Sequence, residues 1–247
     1  MEKQFNFHKN LVKTLLILYV FLGPTFLLKA QQSQIMVFDT FHGQNPKNAQ
    51  TFQGLLPAKT KVTINLSQTS ITDSVLSGTH ALILFAPTKP FTTTEKETII
   101  KYLNQGGSML LIFDEERRTK LEEVGVNDIV KPFGIEFTGD IPARHNCGAI
   151  AEKSNICKTR RELPYSGGRS ITGGEVISRV YDEGNYIHCA YKNTGKGKII
   201  LMSEGMAGLL LGRKDGERFS GSNPSDSKYW GKDSEAFMEE ILAFLAK

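Results

Sequence analysis

The 247-residue sequence contains few cysteines and no closely spaced cysteine pair. Its three cysteines are Cys147, Cys157 and Cys189, and no CxxC motif is present. A structural zinc site normally relies on such pairs, so we predict no structural metal site. The sequence also lacks a GK[ST] phosphate-binding loop, an HxxxH pair, internal repeats and a low-complexity linker. We therefore expect an ordinary globular chain with no cofactor.

A long hydrophobic run occurs only within the first thirty residues. Lys3, Lys9 and Lys13 precede the apolar run TLLILYVFLGPTFLL, and the small residue Ala30 follows it. A basic start, a short apolar run and a small final residue are typical of a secretory signal peptide, cleaved here near Ala30. The run is shorter than the roughly 20 residues that cross a bilayer comfortably, which favours cleavage over an uncleaved anchor. No cysteine follows the run to carry a lipid.

Cleavage near Ala30 would divide the chain into a signal peptide, residues 1–30, and one domain, residues 31–247. That domain has 217 of the 247 residues, which is enough for a full hydrophobic core. The signal holds four Lys and one Glu, so its removal lowers the net charge from +4 to +1. Such a small charge does not indicate a nucleic-acid partner or an anionic membrane. We expect a periplasmic or secreted protein with no stable membrane insertion after cleavage.

Export would permit a disulfide bond. Cys147 and Cys157 flank a polar loop and are the candidate pair, whereas Cys189 lies in the apolar stretch YIHCAY and is expected to be a small buried hydrophobe.

Beyond the signal, strand and helix patterns alternate along the chain. Helices are predicted at 46–57, between Thr92 or Thr94 and Gly106-Gly107, and near the C-terminus, where Glu239 and Glu240 should face outward. Residues 139–172 carry no clear pattern and are expected to be irregular. The strands predicted from short apolar runs are 34–40, 61–66, 80–87, 108–116, 135–138, 174–182, 185–193 and 197–204. This order predicts one α/β domain with a mostly parallel sheet and an added antiparallel hairpin at the end.

Three stretches in order then resemble a known family. HALILFAPTKPFTTTEKETIIKYLNQGGSMLLIFDEE is followed by NDIVKPFGIEF and by GKIILMSEG, and together they look like the class I glutamine amidotransferase-like superfamily. The most similar branch is the non-catalytic group that includes the gliding-motility and intraflagellar-transport (GIFT) domains and related exported bacterial domains of unassigned function. The resemblance covers about residues 35–210 and implies a flavodoxin-like three-layer fold, with a scaffold or subunit role for the domain.

The sequence departs from the catalytic members of this superfamily at one position. Their strand after the helix leads into a sharp turn that carries a nucleophilic Cys, but here the strand ends in Phe113-Asp114. A Cys–His mechanism needs a thiolate beside a base. The resemblance therefore implies that the chain does not hydrolyse glutamine.

Polar residues follow several of the predicted strands, at the ends where open parallel sheets bind ligands. Glycines 167 and 168, beside Arg169, could also let backbone N–H groups approach an anion, although a tight turn explains them as well. The catalytic candidates are His42, Glu204 and Asp114. The candidate binding residues are Asp39, His42, Gln44, Asp114, Glu115, Arg144, His145, Arg169 and Glu204.

These residues leave three functions open. They could bind a ligand such as a carbohydrate, they could act as a carboxylate and His pair in a glycan hydrolase, or the domain could bind another protein without catalysis. A divalent metal on Asp39, His42 and Asp114 is a weaker alternative. Structural roles compete with each assignment, because Asp39 can cap a turn and the run EERR can be a solvated charge run.

Overall fold

A nine-stranded sheet with helices on both faces is the main element of the part of the chain that the structure describes. The computed structural model describes residues 34–43, 46–56, 62–142, 148–163, 165, 167–180, 184–203 and 233–247. The strands of this sheet are β1 (Gln34–Asp39), β2 (Val62–Ser67), β3 (Thr79–Phe85), β4 (Ser108–Phe113), β6 (Ala149–Ala151), β7 (Arg161–Leu163), β9 (Glu175–Val180), β10 (Ile187–Thr194) and β11 (Gly197–Ser203). Their spatial order is β2-β1-β3-β4-β11-β10-β9-β6-β7.

The first five strands in that order are parallel and form the flavodoxin-like part of the sheet. β1 pairs with β2 and β3, and β4 pairs with β3 and β11. Read with β11 as the fifth strand, the order 2-1-3-4-5 is that of flavodoxin. The strand order reverses between β1 and β3, and this position is the topological switch point where such folds bind ligands.

The remaining strands extend the sheet with antiparallel pairs. β11 pairs with β10, β10 with β9, and β6 lies between β9 and β7. The turn between β10 and β11 has Gly195 at φ 72°, a conformation that suits glycine. The predicted mostly parallel sheet with an antiparallel hairpin is confirmed.

Residues 139–172 differ from the expectation of an irregular segment. They contain β6, β7 and the start of β8 (Arg169–Gly173), and β8 pairs with β5 (Ile135–Asp140) in a separate two-stranded sheet. β6 and β7 have three residues each, which is too short to produce a visible alternation of apolar and polar residues. Their pairing depends on strands far away in the sequence.

Helices cover the two faces of the main sheet and bury two hydrophobic clusters. On one face lie α1 (Pro46–Leu55) and α6 (Ser234–Leu245); on the other lie α2 (Asp73–Leu76), α3 (Thr93–Asn104), α4 (Leu121–Val124) and α5 (Val126–Val130), followed by a 3-10 turn at Lys131–Phe133. The central strands are apolar on both sides because both faces are covered. No helix in the described ranges is long and apolar enough to cross a membrane.

The helices lie where they were predicted, with α1 ending at Leu55 and with one corrected side chain. Thr92 caps α3, and its hydroxyl and Glu95 form a capping box. In α6 the hydrophobic residues Phe237, Met238 and Ile241 are buried, but Glu240, which was expected to face outward, is buried as well. Its carboxylate accepts hydrogen bonds from the Arg161 guanidinium at 2.8 and 3.2 Å, because β7 runs beside this helix.

Candidate functional site at the carboxyl edge of the sheet

The parallel strands place the predicted polar residues on one edge but in two separate groups. β4 and β11 are neighbours, whereas β3 lies between β1 and β4. Neighbouring strands are about 4.8 Å apart, so the ends of β1 and β4 are separated by about 10 Å. Asp39 and Asp114 therefore belong to different clusters of side chains.

The switch-point cluster consists of Asp39, His42, Phe91 and Glu95. Asp39 ends β1 and is fully buried. Its carboxylate accepts hydrogen bonds from the backbone N–H groups of Phe41 at 3.1 Å and His42 at 3.3 Å, and it contacts His42 Nδ1 at 2.9 Å. Asp39 thus caps the turn after β1, which is the structural role expected for it from the sequence. Its carboxylate also orients the His42 ring.

His42 is held from its other side by α3 and the segment before it. Its Nε2 lies 3.3 Å from Glu95 Oε1, in a geometry that makes no hydrogen bond, so this contact is electrostatic. The Phe91 ring stacks on the imidazole with a centroid distance of 3.9 Å. His42 has no exposed surface, and a substrate therefore cannot reach it without rearrangement of this cluster.

Glu95 is the second carboxylate beside His42, and its surroundings favour the ionised form. Burial acts to raise the pKa of Glu95, but hydrogen bonds from the Thr92 N–H and hydroxyl, from the Ile71 N–H, and the charge of His42 more than offset it. The net result is a lowered pKa. Two fixed carboxylates around one ring explain how a buried histidine is accommodated at this edge of the sheet.

The chain turns sharply where β3 reaches the same edge. Ala86 has φ 44°, a left-handed conformation that costs a non-glycine residue energy. A strained turn after a strand is the backbone arrangement that presents a nucleophile in hydrolase elbows. Here the turn presents only a methyl group. The sequence comparison places such a nucleophile turn at the end of β4, whereas the strained backbone lies at the end of the neighbouring strand β3.

The second group, the β4-loop cluster, consists of Asp114–Thr119 together with Asp140 and Arg169. Asp114 and Glu115 are both largely buried. Arg118 Nε lies 3.6 Å from Asp114 Oδ2 and 3.6 Å from Glu115 Oε1, and Arg117 also pairs with Glu115. Burial raises the pKa of Asp114, while the Glu115 N–H and Arg118 oppose that rise. In the run EERR, the largely buried Glu115 thus pairs with both arginines, whose own side chains are exposed to solvent.

Arg169 fastens this loop to β8. Its Nε donates to the Asp114 carbonyl at 3.0 Å, and its Nη2 donates to the Thr119 carbonyl at 2.8 Å and pairs with the Glu116 carboxylate. The guanidinium lies 5.6 Å from the centroid of the Phe113 ring, and the residue is 2% exposed. Arg169 accordingly directs its charge at protein groups, and its role in binding a ligand stays a prediction.

The glycine pair before Arg169 permits close packing at the end of β11. A Cβ at Gly168 would lie 2.4 Å from the Ser203 carbonyl oxygen, and one at Gly167 would lie 2.9 Å from Glu115 Oε2. The anionic group beside Gly167 is therefore the carboxylate of Glu115. This arrangement explains why glycine is needed there without an external anion.

Several predicted residues cannot be placed. Gln44, Arg144, His145 and Glu204 lie outside the described residues. Cys147 also lies outside them, so the Cys147–Cys157 bridge stays a prediction; Cys157 itself is a buried residue. Within the described part of the chain, no group of three His, Cys, Asp or Glu side chains is arranged to hold a metal.

Sequence reasoning missed Glu95 as a partner of His42 and Asp140 as a partner of the β4 loop. Glu95 belongs to the helix predicted to begin near Thr92, and that position was not connected with the end of β1. Asp140 accepts hydrogen bonds from the Glu116 N–H at 2.9 and 3.2 Å, across 24 residues. The sequence did contain a sign of the Glu95 contact. The helix α3 begins shortly after β3, at the same edge of the sheet where His42 was predicted to lie.

Comparisons with known proteins agree with this fold. Residues 35–147 match the family model of the IFT52 GIFT domain. The N-terminal domain of mmIFT52 superposes with a TM-score of 0.65 at 16% identity, covering 86% of this chain and 97% of that one. Comparison with curated protein sequences gives no match.

Two further solved proteins share the architecture. The exo-beta-1,4-mannosidase Op5Man5 from Opitutaceae bacterium strain TAV5 gives a TM-score of 0.53 at 13% identity, with 88% of this chain covering 36% of that chain. A ThuA-like protein from Bacteroides uniformis gives 0.50 at 13% identity, covering 74% of this chain and 87% of that one. At such identities the likeness shows the fold alone. Residues 35–147 are therefore similar to a GIFT domain, and the chain has a mixed α/β, flavodoxin-like fold.

Proposed function

We propose that this chain is a non-catalytic GIFT-like domain that acts as a scaffold and binds another protein. One observation carries the proposal: His42, the residue best suited to acid–base chemistry, is fully buried between Asp39 and Glu95 at the switch point. A general base must reach the proton that it removes. In this domain the position that would bind a substrate is filled by the protein's own side chains.

The β4-loop cluster supports the same proposal. Asp114, Glu115 and Arg169 contact protein groups, and the strained turn at Ala86 has no nucleophilic atom. A hydrolase that uses His42, Asp114 or Glu204 would need an accessible pair of such groups. The hydrolase alternative therefore receives the least support. The match to the GIFT family favours a protein as the partner.

The test is capture followed by reconstitution. The full chain, tagged at its C-terminus, is purified from its source cells, and a protein retained in stoichiometric amount is then produced and mixed with the pure chain. A defined complex in light scattering supports the scaffold role. A strictly monomeric chain that retains no protein, or turnover of a glycan or glutamine by the pure chain, would overturn it.

Carbohydrate binding at the carboxyl edge is the second candidate. It is favoured by the similarity of this fold to part of a mannosidase. Thermal-shift measurements with neutral and acidic oligosaccharides test it, since a ligand that binds only the native state raises the melting temperature. No shift with any of them counts against this candidate.

We also propose that the protein is exported after cleavage near Ala30. The basic start and short apolar run of residues 1–30 support this proposal. N-terminal sequencing of the native protein should begin close to Gln31. An intact N-terminus in the cytoplasm would exclude export.

A further inference from the structure

A lysine at the opposite, amino edge of the sheet lacks a counter-ion. Lys198 is the second residue of β11, and only 9% of its surface is exposed. Within the described ranges, no Asp or Glu side chain forms an ion pair with its ammonium group. The aliphatic part of the side chain is therefore buried while the ammonium group reaches solvent, where it is open to an external anion.

The contacts of Lys198 hold its side chain in place without neutralising it. Its Nζ lies 5.0 Å from the centroid of the Phe244 ring in the last turn of α6. Such a contact stabilises a cation modestly. The Lys198 N–H donates to Ser108 Oγ at 3.3 Å, which fixes the start of β11 against β4.

Two further basic groups lie at the same place. His80, at the start of β3, contacts the Leu245 carbonyl through Nε2 at 3.2 Å. Lys247 follows two residues later. Since α6 brings Phe244 to Lys198 and Leu245 to His80, its end gathers three basic side chains: His80, Lys198 and Lys247.

Two of these three basic groups have lowered pKa values. Burial and the charge of Lys247 lower the pKa of Lys198. Burial and the charge of Lys198 lower the pKa of His80, against a hydrogen bond to Leu245 that raises it. The carbonyl end of α6 offers these cations some partial negative charge, but a helix end is a weak partner compared with a full anion.

We propose that Lys198, with His80 and Lys247 beside it, binds a single oxyanion at the amino edge of the sheet. The chemical class is a carboxylate or phosphate group. Its source is either the acidic side chain of a partner segment or a small free anion. The site is separate from the carboxyl edge and does not depend on the scaffold proposal.

Isothermal titration calorimetry at low ionic strength tests the site with two probes, inorganic phosphate and a hexaglutamate peptide. Lys198→Met keeps the aliphatic packing on Phe244 and removes the charge. Lys192→Met is the matched control, because Lys192 is exposed on the same hairpin. We expect Lys198→Met to weaken binding by about thirtyfold or more, and Lys192→Met to change it by less than about twofold.

The results of the titrations distinguish a small free anion, an acidic segment and the absence of a binding site. Binding of phosphate but not hexaglutamate identifies a small free anion, and tighter binding of hexaglutamate identifies an acidic segment. Absence of binding by both probes, or equal losses in Lys198→Met and Lys192→Met, would overturn the site. If Lys198→Met does not fold, two other measurements test the site. Lys247→Met should weaken anion binding, and the pKa of Lys198 measured by NMR should rise when the anion binds; no change in either would overturn the site.

Discussion

Nε2 of His42 lies 3.3 Å from Oε1 of Glu95, and this contact joins the turn after β1 to the first turn of α3. Asp39 holds the other side of the ring at 2.9 Å. The switch point of the sheet, which binds ligands in related architectures, is thereby closed by a carboxylate–imidazole–carboxylate arrangement. The domain uses for its own stability the residues that an enzyme would direct at a substrate.

Replacement of His42 should destabilise the fold strongly. In His42→Leu the carboxylates of Asp39 and Glu95 lose the ring between them, and removal of one partner from a buried charged group costs about 3 kcal/mol or more. Urea unfolding gives the free energy of unfolding of the variant. The double variant His42→Leu with Glu95→Gln should recover part of the loss; a change below about 0.5 kcal/mol in His42→Leu would contradict the assigned pairing.

Arg169 should stabilise the loop after β4 in a way that lysine cannot reproduce. Lysine lacks the planar fork that reaches the Asp114 and Thr119 carbonyls together. We expect Arg169→Lys to lower the free energy of unfolding by about 2 kcal/mol. Hydrogen exchange of residues 114–119 should rise in this variant and stay unchanged in Arg179→Lys. Equal hydrogen exchange of residues 114–119 in both variants would contradict the role of Arg169 in stabilising the loop after β4.

Stability should fall as the pH is lowered from neutral, because of His188. This residue is fully buried, its Nδ1 lies 2.7 Å from Ser178 Oγ, and burial lowers its pKa to about 4. Below pH 6.5 the unfolded chain binds a proton that the folded chain rejects until about pH 4. The native state should lose up to about 3 kcal/mol across that window.

Unfolding measured at pH 7, 5.5 and 4 in the wild type and in His188→Asn tests this contribution. The variant should show a flatter pH dependence between pH 6.5 and 4. Glu95 acts at lower pH, since its lowered pKa gives stability that is lost only as the pH falls below its ordinary value of 4.5. An identical slope in wild type and variant would contradict the assignment to His188.

The two buried thiols should resist alkylation in the native protein. Burial raises the pKa of Cys157 to about 11 and that of Cys189 well above its ordinary value. Thiolate is the reactive form, so both should react with iodoacetamide only after unfolding. Mass spectrometry without reduction also tests the predicted Cys147–Cys157 bridge. Modification of Cys157 in the unfolded, unreduced chain indicates a free thiol; protection of both cysteines indicates the bridge.

Much of the fold follows from local patterns in the sequence. The apolar runs of the central strands, the Thr92 cap and the glycine stop after α3 are local signals, and they produced the correct elements and layers. β6, β7 and β8 were missed because their pairing involves distant partners. The burial of Glu240 was missed for the same reason, since Arg161 lies 79 residues away.

The candidate site was predicted less completely than the fold. The carboxyl-edge rule correctly located Asp39 and His42 at one edge with Asp114. It could not show that His42 has no exposed surface, because burial depends on Phe91 and Glu95 from another element. Sequence position identifies where polar residues converge, whereas accessibility depends on packing between elements.

The most direct test of the scaffold account is the mass of the reconstituted complex, measured by light scattering after the captured protein and this chain are mixed in pure form. The account predicts a stable complex of defined stoichiometry, formed without any detectable turnover of glycans or glutamine. A chain that stays monomeric with every captured protein, or one that turns over a substrate and loses that activity in Asp114→Asn, would contradict it.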